Sequence, residues 1–334
     1  MEKVSILGAG SFGSALGVML AKKGVEVSIW AHKKETIEDI NKKRENIKYL
    51  PNVTIPSNMI GYNDMEGAVK ESSIIVLAVP SHAIRDISKQ LSTVVNKNQI
   101  IVTVAKGLES GTLKRMSEII DEEIKVAPVV VLSGPSHAEE VAVDIPTTVV
   151  VSSLKMEAAE KVQDVFMSNK FRVYTNDDLI GVEIGGACKN IIALAAGISD
   201  GIGYGDNAKA ALMTRGMHEI MKIGIKLGGK PETFNGLTGF GDLIVTCTSV
   251  HSRNRRAGIL IGKGMSMDEA VENVGMVVEG IKACKAFYEL KEKENITMPI
   301  TDVLYKVLFE NKDPKYGVYE LMSRNKKREN GIYE

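Results

Sequence analysis

At 334 residues the chain is long for one compact core and comfortable for two. Lysine plus arginine and aspartate plus glutamate both number 42, so the formal net charge is zero, which excludes a nucleic-acid or membrane partner held by bulk charge. Three cysteines without a C-x-x-C pair exclude a disulfide framework, and five histidines without ligand spacing argue against a metal site.

Val4–Gly10 is too short and too broken by glycine for a signal h-region, and no segment reads as an apolar bilayer span, so a cytoplasmic protein without membrane insertion is expected. Short β-rich runs follow at Val4–Leu7, Val25–Trp30, Ile74–Val79, Ile100–Val104, Val129–Leu132 and Thr147–Val151. Several are nearly all apolar, as strands covered on both faces should be, and helical patterns lie between many of them. Strands alternating with helices imply right-handed βαβ units in a parallel sheet. After about Phe171–Tyr174 the pattern becomes helical, interrupted at Gly201–Asp206, Gly228–Pro231 and Gly236–Asp242. The expected fold class is therefore α/β: an N-terminal Rossmann-like doubly wound sheet followed by an all-α C-terminal domain. The boundary falls near residues 178–186, dividing the chain into 1–182 and 183–334. Lys291–Asn295 and the basic tail Arg324–Arg328 read as solvated faces.

Gly8-Ala9-Gly10-Ser11-Phe12-Gly13 follows the first apolar strand and opens a helix expected over Ser14–Lys23. Gly8 permits the tight turn, Gly10 lets the backbone approach a pyrophosphate, and Gly13 lets helix and strand pack closely. The helix start then favours an anion. A glycine turn in another α/β fold is the competing explanation, against which the flanking strand–helix–strand context counts. No acid stands at the end of the second strand to bind an adenosine ribose. His32 and Lys33 stand there instead, either facing a 2′-phosphate or serving as surface cations.

Ligands of open α/β sheets sit beyond the C-terminal strand ends. Two such ends carry Lys106, which either meets an anion or is a solvated loop lysine, and Ser133-Gly134-Pro135-Ser136-His137-Ala138. In Ile184–Ala196 nearly every residue is small or apolar apart from Lys189 and Asn190. Lysines are rarely buried without a partner or a task. Gly185 and Gly186, one turn earlier, are expected to leave empty space beside the ammonium. A partly desolvated lysine has a lowered pKa, which suits proton exchange with a carbinol or carbonyl oxygen. The alternative is a lysine that snorkels to the surface or pairs with Glu183. Farther on, Asp242 is flanked by glycines, and Ser252 reads as an N-cap for a helix beginning Arg253-Asn254. Arginine at a helix start suits a phosphate; solvated surface arginines are the plainer alternative.

The blocks GAGSFGSAL at 8–16, AKGLE at 105–109, SGPSHAEEV at 133–141, EIGGACKNIIALAAGISDGIGYGDNAKAAL at 183–212, GFGDLIVTCTS at 239–249, SRNRRAG at 252–258 and VVEG at 277–280 resemble the bacterial-type NAD(P)-dependent sn-glycerol-3-phosphate dehydrogenases, in the family's order. The resemblance implies reversible reduction of dihydroxyacetone phosphate to glycerol 3-phosphate, feeding phospholipid synthesis, with NAD or NADP as cofactor. It implies that Lys189 is the general acid/base, with Asn190 beside it in the substrate site. Lys106 touches substrate and nicotinamide cofactor, and Gly134 and Ser136 contact substrate. Ala138 lies by the cofactor. Asp242, Ser252, Arg253 and Asn254 hold the substrate, with Arg253 also near the cofactor. Ser11, Phe12, His32, Val277 and Glu279 contact the dinucleotide. Cys188 departs from the family's leucine before the lysine and is not read as a nucleophile. A β-hydroxyacid dehydrogenase relative or a non-catalytic dinucleotide sensor would share the broad pattern. The sequence is compatible with a homodimer and with either NAD or NADP.

Overall fold

The computed structural model describes residues 2–326 and 328–329, so Lys327 of the basic tail and residues 330–334 of the expected second domain lie outside the described residues. The chain divides into two compact units: Met1–Lys106 with Lys114–Leu179, and Gly107–Leu113 with Ile180–Glu334.

The first unit is built on eight strands: β1 (Lys3–Leu7), β2 (Glu26–Trp30), β3 (Met59–Tyr62), β4 (Ile74–Leu77), β5 (Ile100–Thr103), β6 (Val129–Ser133), β7 (Thr147–Ser152) and β8 (Phe171–Asn176). They form one sheet in the order β3-β2-β1-β4-β5-β6-β7-β8. The order reverses between β1 and β4, which places the glycine loop after β1 at the topological switch point. The continuous apolar runs have a plain cause. Ile74 and Val76 of β4 enter one core, while Ile75 and Leu77 enter the core on the opposite face. A strand with both faces covered cannot alternate apolar with polar residues.

The structure adds two strands that the apolar runs did not reveal. β3 and β8 are the sheet's edges. Both show alternate burial, and β8 carries Arg172, Tyr174 and Thr175 outward, so neither reads as a continuous apolar run. The sheet is also not wholly parallel: β6 and β7 pair antiparallel. The connection 134–146 holds only the five-residue helix Ala138–Ala142 and turns back at the same end of the sheet. The helix after the glycine loop begins at Ser11, earlier than expected, with Gly10 extended at its N-cap.

The second unit is helical, and its described residues include no strand. Its central helix, Leu179–Ile202, corrects the expectation that no segment has the length and apolarity of a bilayer span. It has both, yet 89% of its most apolar window is buried, which makes it a core helix. It ends where Gly203 adopts φ +97°. The helix Arg253–Gly262 crosses it backbone to backbone. A Cβ on Gly197 would lie 2.2 Å from the Arg255 carbonyl oxygen, and one on Gly258 would lie 2.2 Å from that of Leu194. Gly201 and Gly262 repeat the contact one turn along. The expected loop Gly236–Asp242 is instead a π-helical turn, Leu237–Gly241, running directly into the helix Asp242–Thr248.

Candidate functional site

In the sheet unit the candidate residues gather at the C-terminal strand ends. Gly8 adopts φ +122°, where a Cβ would lie 2.5 Å from the Ala78 carbonyl oxygen. A Cβ on Gly13 would lie 2.1 Å from the Gly8 carbonyl oxygen, so only glycine allows the helix to start this close to β1. Gly10 differs: a Cβ there would meet nothing within 4 Å, leaving the helix start open on that side. No side chain caps this helix and no acid stands in its first turn. Its leading N–H groups therefore point at a cradle suited to an anion. Ser11 is half-buried, and Phe12 packs against the core beneath the loop.

Sequence reasoning missed the residue that pins this loop. Asn46, 2% exposed, donates to the Ala9 carbonyl (2.9 Å) and to Ser14 Oγ (2.7 Å). It comes from the β2–β3 connection, and no motif signals it. His32 and Lys33 are exposed after β2, with the His32 ring 6.5 Å from that of Trp30. Lys106 follows β5, and its ammonium donates to the Gly134 carbonyl (3.1 Å), which Ser136 Oγ also approaches (3.0 Å). The ends of β5 and β6 are thereby tied through one carbonyl oxygen. Ala138 is buried in the core at the start of its helix.

In the helical unit Lys189 is buried, as is the carboxylate it pairs with. The ammonium pairs with Asp242 Oδ1, and its burial excludes snorkelling. The ammonium also donates to Thr246 Oγ1 (2.7 Å), whose own hydroxyl donates to the Asp242 carbonyl (2.6 Å). Asp242 and Thr246 stand four apart, on one face of the helix Asp242–Thr248. That spacing would have exposed Thr246 had the segment been recognised as helical. Asp242 offsets the cost of burying the lysine's charge. Gly185 does not clear room for a ligand, as expected from the sequence. A Cβ there would lie 2.7 Å from the Thr238 carbonyl oxygen, so this glycine admits the π-turn that delivers Asp242.

Ser252 is the N-cap of the helix Arg253–Gly262, accepting from the Arg255 N–H (3.2 Å). Arg255 is taken up by Asp200, through Nε (2.8 Å) and Nη2 (2.7 Å). Arg253 is exposed at the helix start. Asn190 and Asn254 are buried side by side, with Asn254 Nδ2 donating to Asn190 Oδ1 (2.9 Å) and the Gly280 N–H donating to Asn254 Oδ1 (2.8 Å). Val277 is partly exposed, and Glu279 begins the helix Glu279–Lys293. Burial pushes the Cys188 thiol up and that of Cys247 to about 12, so neither is a nucleophile at neutral pH. No cluster of metal-ligating side chains occurs among the described residues.

A sheet that offers a dinucleotide its helix start, and a helical unit that buries the Lys189 ammonium against a carboxylate, define the class: a nicotinamide-dependent oxidoreductase. Residues 3–159 match the family model of the NAD-dependent glycerol-3-phosphate dehydrogenase N-terminus, and residues 178–319 match that of its C-terminus. The glycerol-3-phosphate dehydrogenase [NAD(P)+] of Clostridium tetani is 66% identical over 98% of this chain and 94% of its own length. That of Clostridium acetobutylicum is 66% identical over 98% of this chain and 99% of its own. The crystal structure of glycerol-3-phosphate dehydrogenase from Coxiella burnetii superposes with a TM-score of 0.93, at 38% identity, covering 97% of this chain and 99% of that one. The chain belongs to the NAD-dependent glycerol-3-phosphate dehydrogenase family.

Proposed function

We propose that this protein catalyses the reversible, NAD(P)-dependent interconversion of dihydroxyacetone phosphate and sn-glycerol 3-phosphate, and that the product feeds phospholipid synthesis. The observation that carries the reading is the buried Lys189–Asp242–Thr246 cluster. The nicotinamide, when bound, supplies or accepts the hydride at the substrate's middle carbon. The open face at Gly10 and the uncapped helix start fit the pyrophosphate of that cofactor.

During reduction the carbonyl π pair moves onto oxygen as the carbon accepts hydride, and that oxygen needs a proton. Lys189 Nζ donates it and becomes an amine; in the reverse direction the amine takes the hydroxyl proton. Asp242 and Thr246 both accept from the ammonium, which fixes where its nitrogen sits. Arg253, with the N–H groups of the helix start, holds the phosphate. Asp242 acts on the lysine rather than on the substrate. Lys106, anchored on the Gly134 carbonyl, keeps a cation on the rim of the sheet where the anionic reactants bind. Three buried, unbridged cysteines fit a cytoplasmic site of action. The test is oxidation of NADH or NADPH by the purified protein with dihydroxyacetone phosphate. Turnover supports the reading, and a chain that binds dinucleotide without turnover is a sensor.

A further inference from the structure

The helical unit holds a cavity of about 350 Å³ that the proposed reaction does not use. Its size falls within the range of small-molecule sites, about 300–1,000 Å³. Ala195 and Ile198 of the helix Leu179–Ile202 line it, with Val303 and Val307 of the helix Pro299–Phe309 and Val318 and Leu321 of the helix Pro314–Met322. None of the residues around Lys189 or Arg253 takes part in the lining. The helix Asp206–Lys226 adds a stripe: Ala208, Ala211, Arg215, His218 and Lys222 recur at intervals of three and four and so share one face. The stripe changes character along its length, from two alanines to Arg215, His218 and Lys222. Arg324 and Arg328 add two exposed cations to the lining. Arg215 Nη1 donates to the Glu329 carbonyl (3.4 Å), which brings the segment of Arg328 to the cationic half of the stripe.

Among the described residues the lining holds one acid, Glu219, which is 4% exposed. Its carboxyl is engaged already, accepting from the Ile300 N–H (2.6 Å), the Thr301 N–H (3.2 Å) and the Thr301 hydroxyl (3.1 Å). The cations of the lining therefore outnumber its acid, and the field inside favours an anion. An anion alone would leave the apolar walls wet, and a plain alkane would leave the cations unanswered. We propose that this cavity binds a single-chain anionic amphiphile, with its alkyl chain along Ala208, Ala211, Val303 and Val307 and its anionic head at Arg215 and Lys222. Each methylene buried there should tighten binding by about fourfold. A phosphate head and a carboxylate head present the same chemistry to these cations. A second copy of this chain is the poorer occupant, because a two-fold contact would set Arg215, Arg324 and Arg328 against their own counterparts. The site is independent of the proposed activity.

The test is calorimetric titration of the full-length protein with dodecyl phosphate, dodecanoate, dodecanol and inorganic phosphate, each below the concentration at which micelles form. One or both of the anionic amphiphiles should bind one per chain with a micromolar Kd. Dodecanol should bind at least about tenfold more weakly, and inorganic phosphate should give no saturable heat at the same concentrations. The tighter of the two anions names the head group, and either result supports the site. Absence of saturable binding by both, or dodecanol binding as tightly as they do, overturns the proposal.

Two variants locate the ligand. Ala211 is exposed on its helix, so Ala211→Phe should fold and fill the apolar half, weakening all three alkyl ligands by about tenfold or more. If it fails to fold, Ala208→Phe replaces it. Arg215→Gln with Lys222→Gln should weaken the anions by about tenfold and leave dodecanol within about twofold. Anions that bind this double variant as tightly as wild type overturn the placement of the head. Sedimentation covers the other occupant: a dimer that dodecyl phosphate dissociates would assign the cavity to a second copy and overturn the proposal. Failure of the wild type to reduce dihydroxyacetone phosphate would sink the proposed activity and leave the titration to decide this site.

Discussion

Replacing Lys189 by methionine keeps most of the side-chain volume and removes the ammonium. Two losses follow, and the structure separates them. Asp242, whose side chain is 1% exposed, is left as a buried carboxylate without its cation. Breaking a buried pair from one side costs about 3–5 kcal/mol, so the variant should unfold at clearly lower urea. The proposed proton donor is also gone, which should lower kcat by about 10²–10⁴. The double variant Lys189→Met/Asp242→Asn removes both charges and should recover most of the stability without recovering kcat. The assays are urea unfolding and oxidation of NADH with dihydroxyacetone phosphate. If Lys189→Met turns over within a few-fold of wild type, or the double variant regains activity with its stability, the lysine is structural and the proposed mechanism fails.

Arg253→Ala should raise KM for dihydroxyacetone phosphate and lower kcat/KM by about ten- to a hundredfold, because charge-assisted bonds contribute about 1.5–3 kcal/mol; an unchanged kcat/KM would remove Arg253 from the phosphate site. With no acid after Trp30 and with His32 and Lys33 exposed there, NADPH should serve at least as well as NADH, which paired kcat/KM measurements decide. Asn46→Ala should raise KM for NADH while leaving KM for dihydroxyacetone phosphate in place, since it frees the Ala9 carbonyl of the glycine loop; equal effects on both would refute a role confined to that loop. Burial raises the Glu219 carboxyl from its ordinary 4.5 to about 7. Between those values the folded state binds the extra proton, so stability is full below 4.5 and falls by about 3 kcal/mol as pH rises to 7. Glu219→Gln should abolish that part of the melting-temperature profile, and a variant with the wild-type slope would assign the slope to other groups.

The strands easiest to see in the sequence were those whose two faces enter two cores, because their residues must all be apolar. β3 and β8 escaped because an edge strand is half solvated. The glycine loop was visible because its glycines recur at fixed spacing between a strand and a helix, with Gly8 and Gly13 each answering a separate steric demand. Lys189 stood out as a charge in an apolar helix, and Asp242 as an acid between glycines. What held them together was not visible. Thr246 needs the helical register of 242–248, which adjacent glycines disguised as a loop. Gly185 was misread because its cause, the Thr238 carbonyl, lies 53 residues away. Asn46 and the Gly280 N–H act across long sequence separations through single hydrogen bonds, and such bonds leave no periodic trace.

The glycine crossing between Leu179–Ile202 and Arg253–Gly262 has a consequence for evolution. One helix carries Lys189 and Asn190, the other Arg253 and Asn254, and the spacing between them is set by peptide groups in contact. Side chains that wedge helices apart change size as a lineage drifts, and helices slide with them. At Gly197, Gly201, Gly258 and Gly262 the close contacts are with backbone, so the surrounding apolar core is free to exchange leucine for isoleucine or methionine while the working distance stays constant. Divergence of the core and constancy of the site become compatible, because the ruler between the two helices is made of backbone.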